Sequence, residues 1–315
     1  MRQRPGNGSF LRQSGQVQRV IINVLVLTAV TVGCLVPGRP AEAVLYGSQA
    51  QLGETLYTID PTTGAGTAVG PMGNGVTGIA VQPGTGVLYG ATQSSRGSSI
   101  AESTLVTINT TTGAATVVGP FGVGLPRFTT LGDLAFDPNT GVLYGWSTGF
   151  SPDLYTVNLT SGAATKVGES MLNPLGGDGL AFNGTGTLYL AVEGTKGALR
   201  TVNTGTGLTT VGPTLNGFDI CGCPEGEAIF ALSFNGPTLF GVTALSDHLI
   251  TINVATGLIT DIGPAVGPDI GIEGIAFTAQ AVDQVPEPTA LILTISGMTA
   301  LILRRTLSGR AKRHV

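Results

Sequence analysis

Apolar and polar positions alternate in short runs through the middle of the chain, and the alternation recurs as a fixed phrase. It appears as LYTIDPTTGAGTAVGP from Leu56, LVTINTTTGAATVVGP from Leu105, LYTVNLTSGAATKVGE from Leu154, LRTVNTGTGLTTVGP from Leu199 and LITINVATGLITDIGP from Leu249. A second phrase interleaves with it: GIAVQPGTGVLYGAT from Gly78, DLAFDPNTGVLYGWS from Asp133, GLAFNGTGTLYLAVE from Gly179 and ALSFNGPTLFGVTA from Ala231. The apolar runs are short and rich in Thr, Val and Ile, which predicts strands rather than helices. Asp60, Asn109, Asn158, Asn203 and Asn253 each end a strand, where the side chain can accept a backbone N–H two residues on. Gly64, Gly113, Gly162, Gly207 and Gly257 then supply the positive φ of a hairpin.

Four strands per repeat, here called a (GIAV type), b (VLYG type), c (LYTID type) and d (GTAVG type), at a period of 45 to 50 residues predict propeller blades. The first repeat begins with b at Val44 and has no a strand before it. The missing strand stands at the far end, as GIAFT from Gly274. One inner strand from the C-terminal side therefore completes a blade begun at the N-terminal side, and a five-bladed all-β propeller closes with no strand left over. An open repeat array is the alternative architecture.

The two ends read differently. Arg2, Arg4, Arg12 and Arg19 precede the apolar run VIINVLVLTAVTVGCLV and the small-residue site Ala41-Glu42-Ala43, the order of a secretory signal peptide over residues 1–43. The repeat domain occupies 44–280 and a third segment 281–315, in which VPEP at Val285–Pro288 leads into an uncharged run, Thr289 to Leu303, and then Arg304 and Arg305. A helix over that run is about 22 Å long, short for a hydrocarbon core of about 30 Å.

Setting the ends aside changes the charge. The whole chain is −4, but between Val44 and Val285 five Lys and Arg stand against seventeen Asp and Glu, a balance of −12. Such a surface repels phosphate backbones and anionic headgroups, which argues against nucleic-acid binding. The 49 glycines serve as turn punctuation rather than marking a low-complexity chain.

Candidate chemistry is sparse. Ahead of the a strands, where a propeller channel opens, stand Asp133, Asp178 and Glu273, with Glu227 in a longer loop and Thr77 at the corresponding place in the second blade. Carboxylates converging there would suit Ca²⁺, which takes six to eight oxygens, or a carboxylate pair for glycoside hydrolysis; solvated turns are the plainer reading. Cys221 and Cys223 flank a single glycine and read best as a local disulfide staple, since the spacing is too tight for the usual zinc pair. Asp137-Pro138-Asn139-Thr140-Gly141 opens like a calcium loop but lacks the glutamate at its twelfth position, and reads as a turn. Trp146, the single tryptophan, fits either a sugar-stacking surface or the core, and His248 a surface place at the start of a c strand. There is no G-x-S-x-G, H-E-x-x-H or G-x-x-x-x-G-K-[ST] motif.

Val285-Pro286-Glu287-Pro288, the apolar run and the basic tail from Arg304-Arg305 together resemble the sorting signal of the PEP-CTERM proteins, exported by Gram-negative bacteria that make exopolysaccharide. The repeats are similar to those of many secreted proteins of that group. The resemblance implies recognition and processing by the membrane protease-transpeptidase exosortase, a transient inner-membrane anchor, and a final place in the envelope, on the cell surface or in the matrix. It implies no reaction. A binding or structural protein is the leading expectation, with exopolysaccharide or another surface protein as partner and no resident cofactor. A secreted carbohydrate-active enzyme using the channel-mouth acids and a membrane-tethered periplasmic sensor are the rivals.

Overall fold

Leu45–Gln49 (β1), Thr55–Ile59 (β2) and Gly66–Pro71 (β3) form the outer three strands of the first blade. The second blade follows as Val76–Val81 (β4), Leu88–Thr92 (β5), Thr104–Ile108 (β6) and Ala115–Pro120 (β7). The third is Leu131–Phe136 (β8), Leu143–Ser147 (β9), Leu154–Val157 (β10) and Ala164–Gly168 (β11). The fourth is Gly177–Phe182 (β12), Leu188–Val192 (β13), Ala198–Val202 (β14) and Thr209–Thr214 (β15). Ile229–Asn235 (β16), Thr238–Thr243 (β17), His248–Ile252 (β18) and Ile259–Pro264 (β19) make the fifth, and Ile272–Phe277 (β20) returns to the first. This computed structural model describes residues 43–278 except 51–53, 93–102, 123–130, 149–151, 173–176, 193–196, 218–227, 245 and 267–270.

Pairing within every blade is antiparallel, and the sheets run β20-β1-β2-β3, β4-β5-β6-β7, β8-β9-β10-β11, β12-β13-β14-β15 and β16-β17-β18-β19. The protein is a five-bladed β-propeller, with no helix among the described residues. The expected closure is present: β20 pairs with β1 in the register Leu45↔Phe277, Tyr46↔Ala276, Gly47↔Ile275.

Cross-strand registry explains why the phrases repeat. Each blade carries one rung across its four strands: Ala80, Tyr89, Thr107 and Thr116 in the second, Ala135, Tyr144, Thr156 and Thr165 in the third. The fifth blade writes it as Ser233, Phe240, Thr251 and Thr260. Size and polarity follow burial: a small residue beside the axis, an aromatic in the core, and β-branched hydroxyl residues toward the rim.

The aromatic member joins neighbouring blades. Tyr89 meets Phe136 with ring centroids 5.7 Å apart, Tyr144 meets Phe182 at 5.5 Å, Tyr189 meets Phe234 at 5.5 Å and Phe240 meets Phe277 at 5.0 Å. Tyr46 and Val81 share the corresponding cluster between the first and second blades. The described residues accordingly form five apolar clusters, each shared by two adjacent blades, and their burial is distributed around the ring rather than concentrated at its centre.

The turn chemistry holds. The Asn109 side-chain oxygen accepts from the N–H of Thr111 at 2.9 Å and of Thr112 at 3.0 Å, and Asn158, Asn203 and Asn253 repeat the pattern. Asp60 does likewise; the Thr62 hydroxyl and then its N–H hold this carboxyl below its ordinary pKa. Asp137 accepts from the N–H of Asn139 and the hydroxyl of Thr140, so this segment is a turn as expected.

The c–d glycines have a second role. At Gly113, φ is +80°, and an added Cβ would strike the Gly70 carbonyl oxygen of the preceding blade. Gly64 faces the carbonyl oxygen of Gly263 in the same way, 2.8 Å from where its Cβ would lie, so the contact runs across the ring closure as well. The glycine of the turn and the glycine of the d strand are thus two halves of one backbone-to-backbone contact.

Candidate functional site

The channel is lined by the inner strands, whose free edges face the axis. Each of these strands carries an irregularity near its start. Pairing steps from Val76 to Gly78, from Leu131 to Asp133 and from Ile229 to Ala231, so Thr77, Gly132 and Phe230 are the bulged residues. In β20 the step between Ile272 and Gly274 bulges Glu273. Asp133 therefore shares its place with Gly78, Ala231 and Gly274, as the aligned phrases have it, whereas Thr77 and Glu273, grouped with it as channel-mouth residues, are bulged residues one position earlier in their strands.

That register puts one carboxylate on the axis. Asp133 is fully buried. Its Oδ1 accepts from the N–H of Leu134 at 2.8 Å, and its Oδ2 accepts from the N–H of Leu180 at 2.9 Å and of Leu232 at 3.2 Å. Three blades thus contribute the same inner-strand N–H to one side chain. These donors compensate a buried charge that would otherwise be costly. They also surround its oxygens with positive dipole ends, an environment suited to an anion rather than to a cation.

The other acids of the channel-mouth group stand one position earlier in their strands or outside the described residues. Asp178 lies in β12, the equivalent of the bulge position, and Glu273 is half-buried in β20. Glu227, Cys221 and Cys223 fall outside the described residues, as do Val285, Pro286, Glu287, Pro288, Arg304 and Arg305. Among the described residues no group of three or more His, Cys, Asp or Glu is placed to hold a metal ion.

Thr77, singled out only as the place without an acid, has a definite function. Its hydroxyl lies 2.8 Å from the Leu131 carbonyl oxygen of the next blade and 3.2 Å from that of Ala91. Toward the hairpin face the axis opens into a cavity of about 110 Å³. Ala80, Ala135, Ala181, Ser233 and Ala276 line it, and the Ser233 hydroxyl oxygen accepts from the N–H of Phe277 at 3.1 Å.

Trp146 belongs to the core. It is fully buried between the third and fourth blades, in one cluster with Leu180 and Leu190, which removes it as an exposed sugar platform. His248 begins β18, and its Nδ1 lies 2.8 Å from Asp261 Oδ1. Two further acids anchor loops near the starts of c strands. Asp153 accepts from the N–H of Ser170 and pairs with Lys166 Nζ at 2.7 Å, while Asp247 accepts from the N–H groups of Gly271 and Ile272 where β20 begins.

The connections differ between the two faces. All five c–d turns have one length, from Ile59 to Gly66, Ile108 to Ala115, Val157 to Ala164, Val202 to Thr209 and Ile252 to Ile259. On the opposite face the d–a connections run from as short as Pro71 to Val76 to as long as Thr214 to Ile229, and the b–c connections vary as well. The a–b hairpins, on the same face as the c–d turns, vary from Val81 to Leu88 down to Asn235 to Thr238, but none is longer than a c–d turn, so the long connections, the kind that commonly carry binding residues, gather on the d–a and b–c face.

No protein-family model matches the chain, and no curated protein does. Among solved structures, a chain from a nidogen/laminin complex is similar over 76% of this chain and 99% of its own, with 13% identity and a TM-score of 0.51. Two proteins of unknown function are more distant: one from Bacteroides thetaiotaomicron VPI-5482 (14% identity, 63% of this chain and 53% of its own, TM-score 0.45) and one from Bacteroides caccae (11%, 70% and 72%, TM-score 0.43). At such identities the likeness is one of fold alone.

Proposed function

We propose that this propeller is an exported, non-enzymatic binding or structural module of a Gram-negative envelope or exopolysaccharide matrix, delivered by its PEP-CTERM-like signal and processed by an exosortase. The observation that carries the binding role is the contrast between the faces: only short hairpins on one, and on the other connections of widely unequal length, the longest from Thr214 to Ile229, where the ligand contacts would lie. The Asp133 carboxylate, foremost of the acids a glycosidase reading would use, is enclosed by three backbone N–H groups. The basic tail from Arg304 would stay in the cytoplasm while the propeller is exported, and Pro286 and Pro288 would keep the junction extended for a protease.

Expression of the full chain in an exosortase-bearing host, followed by mass spectrometry of its mature termini, tests delivery. A new N-terminus near Val44 and a C-terminus upstream of Thr289 are expected; an intact C-terminus at Val315 overturns the sorting reading. Turnover of any glycan or ester by the purified protein overturns the non-enzymatic one.

A further inference from the structure

We propose that the propeller axis is a small-anion site whose resident occupant is the chain's own Asp133 carboxylate, and that removing this side chain leaves a cage that takes a small monocarboxylate from solution. In a closed ring the inner edge of every blade has no strand to pair with, so its alternate N–H groups point at the axis. Those of Leu134, Leu180 and Leu232 converge on one carboxylate, within 2.8 to 3.2 Å of its oxygens. Convergent backbone N–H groups form an anion-binding concavity without needing a cationic side chain.

The places equivalent to Asp133 in the other blades hold little or no side chain. Of the residues in its register, Gly78 and Gly274 have no side chain and Ala231 only a methyl. A Cβ at Gly78 would strike the Asp133 Cα; one at Gly274 would lie 2.5 Å from Ser48 Oγ and 2.7 Å from the Thr77 carbonyl oxygen. Nearby in β12, a Cβ at Gly179 would lie 2.8 Å from Leu232 Cγ. The corresponding places in the other blades thus tolerate no side chain of that size, and at this level of the ring Asp133 supplies a carboxylate from the third blade. Formate reproduces that carboxylate without its tether, which makes it the natural probe of the vacated cage.

The experiment compares wild type, Asp133→Gly and Asp133→Asn as full chains, by thermal unfolding across a series of sodium formate concentrations with sodium chloride held to constant ionic strength. The glycine variant is expected to melt lower than wild type and to regain stability saturably with formate. Wild type and the asparagine variant, whose axes stay filled, should respond little. If the glycine variant does not fold in chloride, its refolding yield in formate against chloride gives the same reading. A formate response equal in all three proteins, or equal refolding yields in the two salts, overturns the proposal.

Discussion

Val44 and Thr278 are 234 residues apart in the chain and joined by a reciprocal pair of hydrogen bonds, Val44 N–H to Thr278 Oγ1 and Thr278 N–H to the Val44 carbonyl oxygen, each 2.9 Å. The ring is fastened where its first described strand meets its last. Yet the bond to Oγ1 is solvent-exposed, whereas Ile275, three residues earlier, is buried against the fifth blade.

Closure should therefore depend on packing more than on that exposed bond. Ile275→Ala is expected to cost about 2–5 kcal/mol in urea unfolding, by loss of burial and the cavity left behind. Thr278→Ala, which removes only the exposed hydroxyl, should cost about 0.5–1.5 kcal/mol. Equal losses would contradict this ranking.

The double use of the c–d glycine separates turn strain from blade contact. Gly141 has φ +71° and open space around its Cβ position, so Gly141→Ala should cost about 1–2 kcal/mol of backbone strain. Gly113→Ala adds a collision with the Gly70 carbonyl and should cost about 2–5 kcal/mol. Chemical denaturation of the two variants reads the difference directly.

Trp146 offers an intrinsic probe, being the single tryptophan and fully buried. Its emission should be blue-shifted, poorly quenched by acrylamide and unchanged by added saccharides. Trp146→Ala should destabilise the fold by about 3–5 kcal/mol. A saccharide-dependent emission shift would instead restore a surface role for the indole.

Alkaline pH should unfold the protein through three groups that act in the same direction. Hydrogen bonds to Asp153 and then Glu169 raise the Lys166 pKa above its ordinary value, and burial raises those of Tyr144 and Tyr155. Each group's folded pKa lies above its unfolded one. The stability each provides is complete below the unfolded values, about 10 for Tyr and 10.4 for Lys, and is lost as pH rises through the folded values. Lys166→Met should flatten the fall in melting temperature above about pH 10. Tyrosinate absorbance of Tyr144 and Tyr155 should appear with unfolding rather than before it.

The sequence by itself determined the strands, their number and the way the ring closes. Alternating β-branched runs, Asx residues and turn glycines are local signals with a fixed period, and strand counting required the a strand at Gly274 to complete the blade begun at Val44. What the sequence could not convey was which face or partner each repeated residue meets. The Leu131 carbonyl that Thr77 meets and two of the N–H groups that Asp133 gathers belong to other blades, and the d-strand glycines acquire their meaning only from the turn of the next blade. Asp133 reads in the sequence as an acid at a channel mouth. It becomes an axial anchor only because ring closure brings N–H groups from three blades to one point, and no local pattern encodes that convergence.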